Sequence, residues 1–178
     1  MSTKIKIGIV GGAGYTGGEL LRILVNHPNA DIVFVHSNSN AGNPIYKVHT
    51  DLIGSTDLVF SSELSSAIDV LFLCVGHGDA SKFLDANPIE SHIKIIDLSQ
   101  DFRIEKEGND FVYGLPELQR DKIKNAKNIA NPGCFATCIQ LGLLPLAANK
   151  VLESDIHVSG ITGSTGAGQS LSQTSHFS

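Results

Sequence analysis

The chain has 178 residues, 42% apolar and 17% charged, with a formal net charge of −5. That is enough chain to bury a core and too apolar a balance for a disordered segment. An acidic chain without a Lys/Arg-rich cluster has no electrostatic footprint for nucleic acid, and no window approaches the roughly 18 consecutive apolar residues of a membrane span.

Short apolar runs stand at 4–10 (KIKIGIV), 31–37 (DIVFVHS), 70–76 (VLFLCVG), 94–99 (KIIDLS) and 127–131 (KNIAN). Most lack polar alternation, as strands covered on both faces do. Helical patterns lie between and after them, at 15–27, 79–87, 116–127 and 134–149. Strand–helix alternation predicts an α/β fold with a doubly wound, mostly parallel sheet. After about residue 150 the composition turns glycine- and serine-rich. DIHVSGI begins like a strand, yet no further helix completes a unit. The expected organisation is a dinucleotide-binding domain over 1–150 and the beginning of a second domain over 151–178; a flexible tail is the alternative.

The first strand runs into Gly11-Gly12-Ala13-Gly14-Tyr15-Thr16-Gly17-Gly18 and then a helix. Gly12, Gly14 and Gly17 satisfy G-x-G-x-x-G, and Gly11, Gly14 and Gly17 satisfy G-x-x-G-x-x-G. Between a strand and a helix, such a loop brings backbone N–H groups close to a diphosphate, the arrangement of Rossmann-type folds. Gly11, Gly14, Tyr15, Thr16 and Gly17 are the candidate cofactor residues here. The second strand ends His36-Ser37-Asn38-Ser39-Asn40 without a carboxylate to hold a ribose 2′-hydroxyl. Ser37 and Ser39 leave room and donors for a 2′-phosphate, so NADP is the expected cofactor, although no arginine stands nearby.

Cys134 follows Asn131-Pro132-Gly133 and opens a helical run, and a helix N-terminus favours the reactive thiolate form. The N–H groups there also suit an oxyanion. Cys138 lies one turn inside the same helix and reads as a small packed residue. Cys74, mid-strand, reads as core. The three cysteines match neither a disulfide framework nor a closed zinc set, so no metal is expected. With no secretory-type leader in MSTKIKIGIVGG, the expected location is cytoplasmic.

GIVGGAGYTGGELLRIL, IIDLSQDFR, VYGLPEL and IANPGCFATCIQLGLLPL together resemble the N-acetyl-gamma-glutamyl-phosphate reductases of the semialdehyde dehydrogenase superfamily, from about residue 5 to the end. The resemblance implies an NADP-dependent acyl-phosphate reductase of arginine biosynthesis, a small-molecule acyl-phosphate substrate and a homo-oligomer. It implies Cys134 as nucleophile, Arg103 as a grip for the substrate phosphate, and Ser99 as a donor in the same loop. Arg103 could equally form an ion pair with Asp97 or Asp101. His77 is implied beside the cofactor, where a lone histidine could equally be structural. Asn131 either orients the nicotinamide or caps the helix. Gly163, Gly166 and Gly168 resemble a loop that closes over the cofactor. Gly12 departs from the family's more frequent alanine, and the family's acid/base histidine, in a His-Arg-His-Thr-Pro-Glu segment, is not among these 178 residues. Two rivals remain: an aspartyl-phosphate reductase, whose cysteine segment typically reads Gly-Asn-Cys-Thr, and a non-catalytic dinucleotide-binding redox sensor.

Overall fold

Apolar runs without alternation become strands buried on both faces. The computed structural model describes residues 4–167, with seven parallel strands in one sheet. They are β1 Ile5–Val10, β2 Ala30–His36, β3 Phe60–Ser61, β4 Val70–Leu73, β5 Lys94–Asp97, β6 Phe111–Tyr113 and β7 Asn128–Ala130. Helices α1 Tyr15–Val25, α2 Asp79–Ala86, α3 Pro116–Asn125 and α4 Cys134–Ala148 connect or follow them. The spatial order is β3-β2-β1-β4-β5-β7-β6. The chain moves outward from β1 to β3 and then returns to the other side of β1 as β4. This reversal opens a crevice at the carboxyl ends of β1 and β4, where open α/β sheets bind ligands.

Two apolar layers hold the sheet. On one face Leu21 of α1 packs with Ile7, Ile9, Val35 and Phe60. On the other, Ala80 of α2 joins Val10, Leu71, Leu73 and Ile95. Ile9, Leu21 and Leu73 are 0% exposed, and burying each such side chain contributes about 1.5–3 kcal/mol.

The five strands and four helices expected before residue 150 all form. β3 and β6, two and three residues long, are too short to leave a periodic pattern. Short 3-10 turns at Asn38–Asn40, Ile45–Lys47 and Thr50–Leu52 occupy the connection after β2. The strand expected near DIHVSGI does not form: residues 151–163 have no regular structure and are exposed. Among the described residues no strand lies beside them to complete a ladder, and a lone strand leaves its backbone groups unpaired. α4 buries none of its residues despite its apolar sequence. Among the described residues, no helix is long and apolar enough to cross a membrane.

Candidate active site

Parallel strands end together, so the loops after β1, β2, β4, β5 and β7 meet at one edge. Hydrogen bonds tie them. Gly12 N–H donates to the His36 carbonyl at 3.1 Å, and Asn131 N–H to the Asp97 carbonyl at 2.8 Å. Gln100 N–H donates to His77 Nδ1 at 3.2 Å. The expected site residues therefore sit on one connected rim.

The glycines of the first loop have two different causes. A Cβ on Gly11 would run into the Cys74 carbonyl oxygen, and Gly11 has φ +78°, which disfavours any other residue. A Cβ on Gly12 would strike Val35, and one on Gly17 would come within 2.7 Å of the Gly11 oxygen. Packing of the fold demands those three. Gly14 is different: the nearest atom to a Cβ there is the Gly11 oxygen at an ordinary 3.5 Å. Packing alone would therefore tolerate a side chain at Gly14, whereas a diphosphate lying against the backbone would not. Gly14 is also the N-cap of α1, without a side-chain cap and with no acid in the first turn. The first N–H groups of α1 are thus uncapped donors, and the loop fits a dinucleotide. The side chains of Tyr15 and Thr16 are exposed at its mouth.

His49 braces this loop from below. It is buried and donates Nε2–H to the Gly12 carbonyl at 2.8 Å. Nothing in the sequence singled it out, because its partner is 37 residues away.

Cys134 is the first residue of α4 and is exposed. Gly133 is the N-cap; no side chain caps the helix, and its first turn holds no acid. Asn131 therefore does not cap α4: its Nδ2 donates to the Pro132 carbonyl at 3.1 Å. Cys138 is exposed, contrary to expectation, because no other element among the described residues covers α4. Cys74 is core as expected, and burial followed by the nearby Asp97 pushes its thiol up to about 12.

Arg103 joins two loops instead of pairing with an acid. Its Nε–H donates to the Asn131 carbonyl and its Nη2 to the Leu98 carbonyl, both at 2.8 Å. The two candidate carboxylates are engaged elsewhere. Asp101 accepts from Gly78 N–H at 2.6 Å and Ser81 N–H at 3.1 Å, at the start of α2. Partial burial works against its ionisation, but those donors outweigh it and hold its carboxyl below the usual range. Asp97, 0% exposed, is pushed up by burial. It accepts from the Ser99 hydroxyl at 2.7 Å and from Ser99 N–H at 3.1 Å. Ser99 is itself 0% exposed, and its oxygen accepts from Asp101 N–H at 3.0 Å. The expectation that Ser99 donates to substrate is thereby corrected: its proton is given to Asp97, and it shapes the loop that carries Arg103. Gly133 lies against the guanidinium; a Cβ there would be 2.9 Å from Nη1.

Ser37 is buried and Ser39 exposed at the end of β2. His77 is exposed, with Nδ1 accepting from Gln100, so Nε2 carries the proton of the neutral ring. Gly163 and Gly166 lie at the 3-10 turn Ser164–Ala167, and Gly168 is outside the described residues.

The sequence model for "Semialdehyde dehydrogenase, NAD binding domain" matches residues 6–126. The chain belongs to the semialdehyde dehydrogenase family. The family's dimerisation-domain model matches residues 134–178, beginning at Cys134. An N-acetyl-gamma-glutamyl-phosphate reductase of Parabacteroides distasonis is 62% identical over 175 residues, covering 98% of this chain and 54% of that protein. The reductase of Flavobacterium johnsoniae is 55% identical over 178 residues, covering 98% and 55%. The chain thus spans about half the length of the curated relatives it matches. Aspartate semialdehyde dehydrogenase II of Vibrio cholerae superposes with a TM-score of 0.69 at 20% identity, covering 94% of this chain and 49% of that one. The Candida albicans enzyme, solved with NADP, gives 0.62 at 18% identity, covering 83% and 48%. At such identities the structural likeness shows the fold alone; the match to the NAD-binding domain model is what makes this a dinucleotide-binding domain. Its cofactor is a nicotinamide dinucleotide.

Proposed function

We propose that this chain is the cofactor-binding and nucleophile-bearing part of an N-acetyl-gamma-glutamyl-phosphate reductase, reducing N-acetyl-L-glutamyl 5-phosphate to the semialdehyde with NADPH. The observation that carries the reading is Cys134 at an uncapped helix start, directly after a Gly133 that lies against Arg103, whose guanidinium forms no salt bridge among the described residues. Cys134 Sγ attacks the acyl carbon, the bond to phosphate breaks, and a thioester remains. The backbone N–H groups at the start of α4 face the charge that develops on the carbonyl oxygen. Arg103 holds the departing phosphate. The bound dinucleotide supplies hydride. As the C–S bond then breaks, the aldehyde leaves and Sγ regains its electron pair. His77 Nε2–H and Asn131 flank the nicotinamide end, while Gly11, Gly14, Tyr15, Thr16 and Gly17 hold the diphosphate. Ser37 and Ser39, with no carboxylate beside them, receive a 2′-phosphate.

We divide the chain at about residue 150 into the dinucleotide domain and the start of a catalytic and dimerisation domain; the dimerisation-domain match supports a homo-oligomer. The acid/base histidine is expected from the remaining half of the protein. The test is a trapped intermediate. The full-length protein, given acyl phosphate without NADPH, should gain the acyl mass on Cys134 in a peptide map. Turnover with no adduct, or with an adduct on another residue, overturns the mechanism.

A further inference from the structure

We infer that Lys82 of α2 sets the preference for a phosphorylated ribose, acting with the hydroxyls of Ser37 and Ser39; the inference rests on the NADPH reading above. A cavity of about 610 Å³ opens at the carboxyl ends of β1 and β2. Gly11, Ser37, Asn38 and Ser39 line one side of it, and Asp79 and Lys82 come from α2.

The hydroxyls are prearranged as donors. Asn40 Nδ2 donates to Ser37 Oγ at 3.2 Å and to Ser39 Oγ at 3.1 Å. Each oxygen thus has one lone pair engaged by the same amide, while each O–H stays available to an outside acceptor. A phosphate accepts and does not donate, and it is the group that two such protons suit.

Among the described residues that line the cavity, Lys82 is the one lysine or arginine and Asp79 the one carboxylate. The two pair at 3.1 Å across one helical turn, with side chains 78% and 58% exposed. An exposed pair of this kind holds its partners weakly, so the ammonium can turn to a phosphate, a stronger partner for it. His36 is the remaining titratable group of the lining, and among the described residues its side chain enters no hydrogen bond or ion pair. Without Lys82, Asp79 would stand unneutralised on the wall of a cavity meant for an anion. Removing the lysine should therefore act on the 2′-phosphate twice, by lost attraction and by exposed repulsion. The sequence hid this role because the basic residue lies not beside the serines but on a helix some forty positions later.

Calorimetric titration of NADPH and NADH into this chain, and into Lys82→Gln, Lys82→Arg and Asn40→Ala, tests the inference. Lys82 is exposed, so the variants should keep the fold. Lys82→Gln should weaken NADPH about tenfold, the scale of one charge-assisted contact, and leave NADH unchanged. Lys82→Arg should restore NADPH binding, and Asn40→Ala should weaken NADPH selectively. The probes 2′,5′-ADP and 5′-AMP should repeat the pattern, which places the effect on the 2′-phosphate. Equal losses for both cofactors, or none, would overturn the role of Lys82. If the unaltered chain binds NADH as tightly as NADPH, the cofactor reading itself falls; if it prefers NADPH and Lys82→Gln keeps that preference, only the lysine's role falls.

Discussion

Arg103 donates Nε–H to the carbonyl oxygen of Asn131 at 2.8 Å, joining the loop after β5 to the turn that presents Cys134. A second donation, Nη2 to the Leu98 carbonyl, fixes the plane of the guanidinium. Lysine has no such fork. In the full-length protein, Arg103→Lys should lower kcat/KM for the acyl phosphate by about tenfold to a hundredfold, the scale of a lost charged hydrogen bond, with NADPH affinity intact. Gly133→Ala should produce the same split, because its Cβ would crowd Nη1. Steady-state kinetics paired with cofactor titration reads both, and parallel losses in cofactor binding would assign Arg103 to the wrong ligand.

Gly14→Val should keep the fold, since a Cβ there meets the Gly11 oxygen only at an ordinary 3.5 Å and the residue has an extended backbone with φ −76°. It should nevertheless lose most dinucleotide affinity, because the side chain would stand at the donors that start α1. Circular dichroism and fluorescence titration separate the two effects. Full affinity in a folded Gly14→Val chain would reduce the loop to a tight turn.

At neutral pH iodoacetamide should modify Cys134 first, because it is exposed and sits where a helix start favours negative charge. Cys74 should react last: it is buried, and its thiol is pushed up to about 12. Cys134→Ser in the full-length protein should abolish reduction and keep NADPH binding. Mass-spectrometric mapping over time gives the order. Equal labelling of Cys134 and Cys138 would remove the case for an activated nucleophile.

Asp101 and Asp97 contribute to stability with opposite pH dependence. The Asp101 carboxyl is held below its ordinary value, so its contribution is present at neutral pH and is lost as pH falls from the ordinary carboxylate range toward the folded value. Asp97 is pushed up by burial, so the cost of burying its charge is relieved as pH falls through its folded value. Asp101→Ala should cost about 0.5–1 kcal/mol at neutral pH, the low end for a helix-start acceptor because solvent screens it. Urea midpoints of both proteins should converge on acidification. A gap unchanged down to about pH 3, below the ordinary carboxylate pKa, would show that the carboxylate charge is not what stabilises α2.

The sheet was readable because its strands are buried on both faces and its helices keep a steady apolar stripe. The glycine loop and Cys134 were readable because each occupies a turn between two strong patterns. Ser99 was misassigned for a physical reason: a serine after a strand looks the same in sequence whether its hydroxyl faces a ligand or a buried Asp97 two residues back. The bracing by His49 and the hold of Asp101 on the start of α2 were missed because their partners are not periodic neighbours. His49 reaches 37 residues to Gly12, and Asp101 reaches 23 residues to Gly78. The exposure of Cys138 could not be foreseen either, since an apolar helix predicts a covering element that the described residues do not provide.

Both helix starts at the site, at Gly14 and at Gly133, lack a side-chain cap. The groups offered there to a diphosphate and to an oxyanion belong to the peptide chain itself. A point mutation replaces a side chain and leaves the peptide N–H in place, proline excepted. Hydride transfer and thioester formation, in the proposed reaction, thus rest on donors that mutation rarely erases. Arg103 and Lys82, which would read the acyl phosphate and the ribose, are ordinary side chains that a single codon change can remove. Evolutionary drift in this fold should therefore alter which acyl phosphate and which dinucleotide are accepted long before it alters the reaction performed on them.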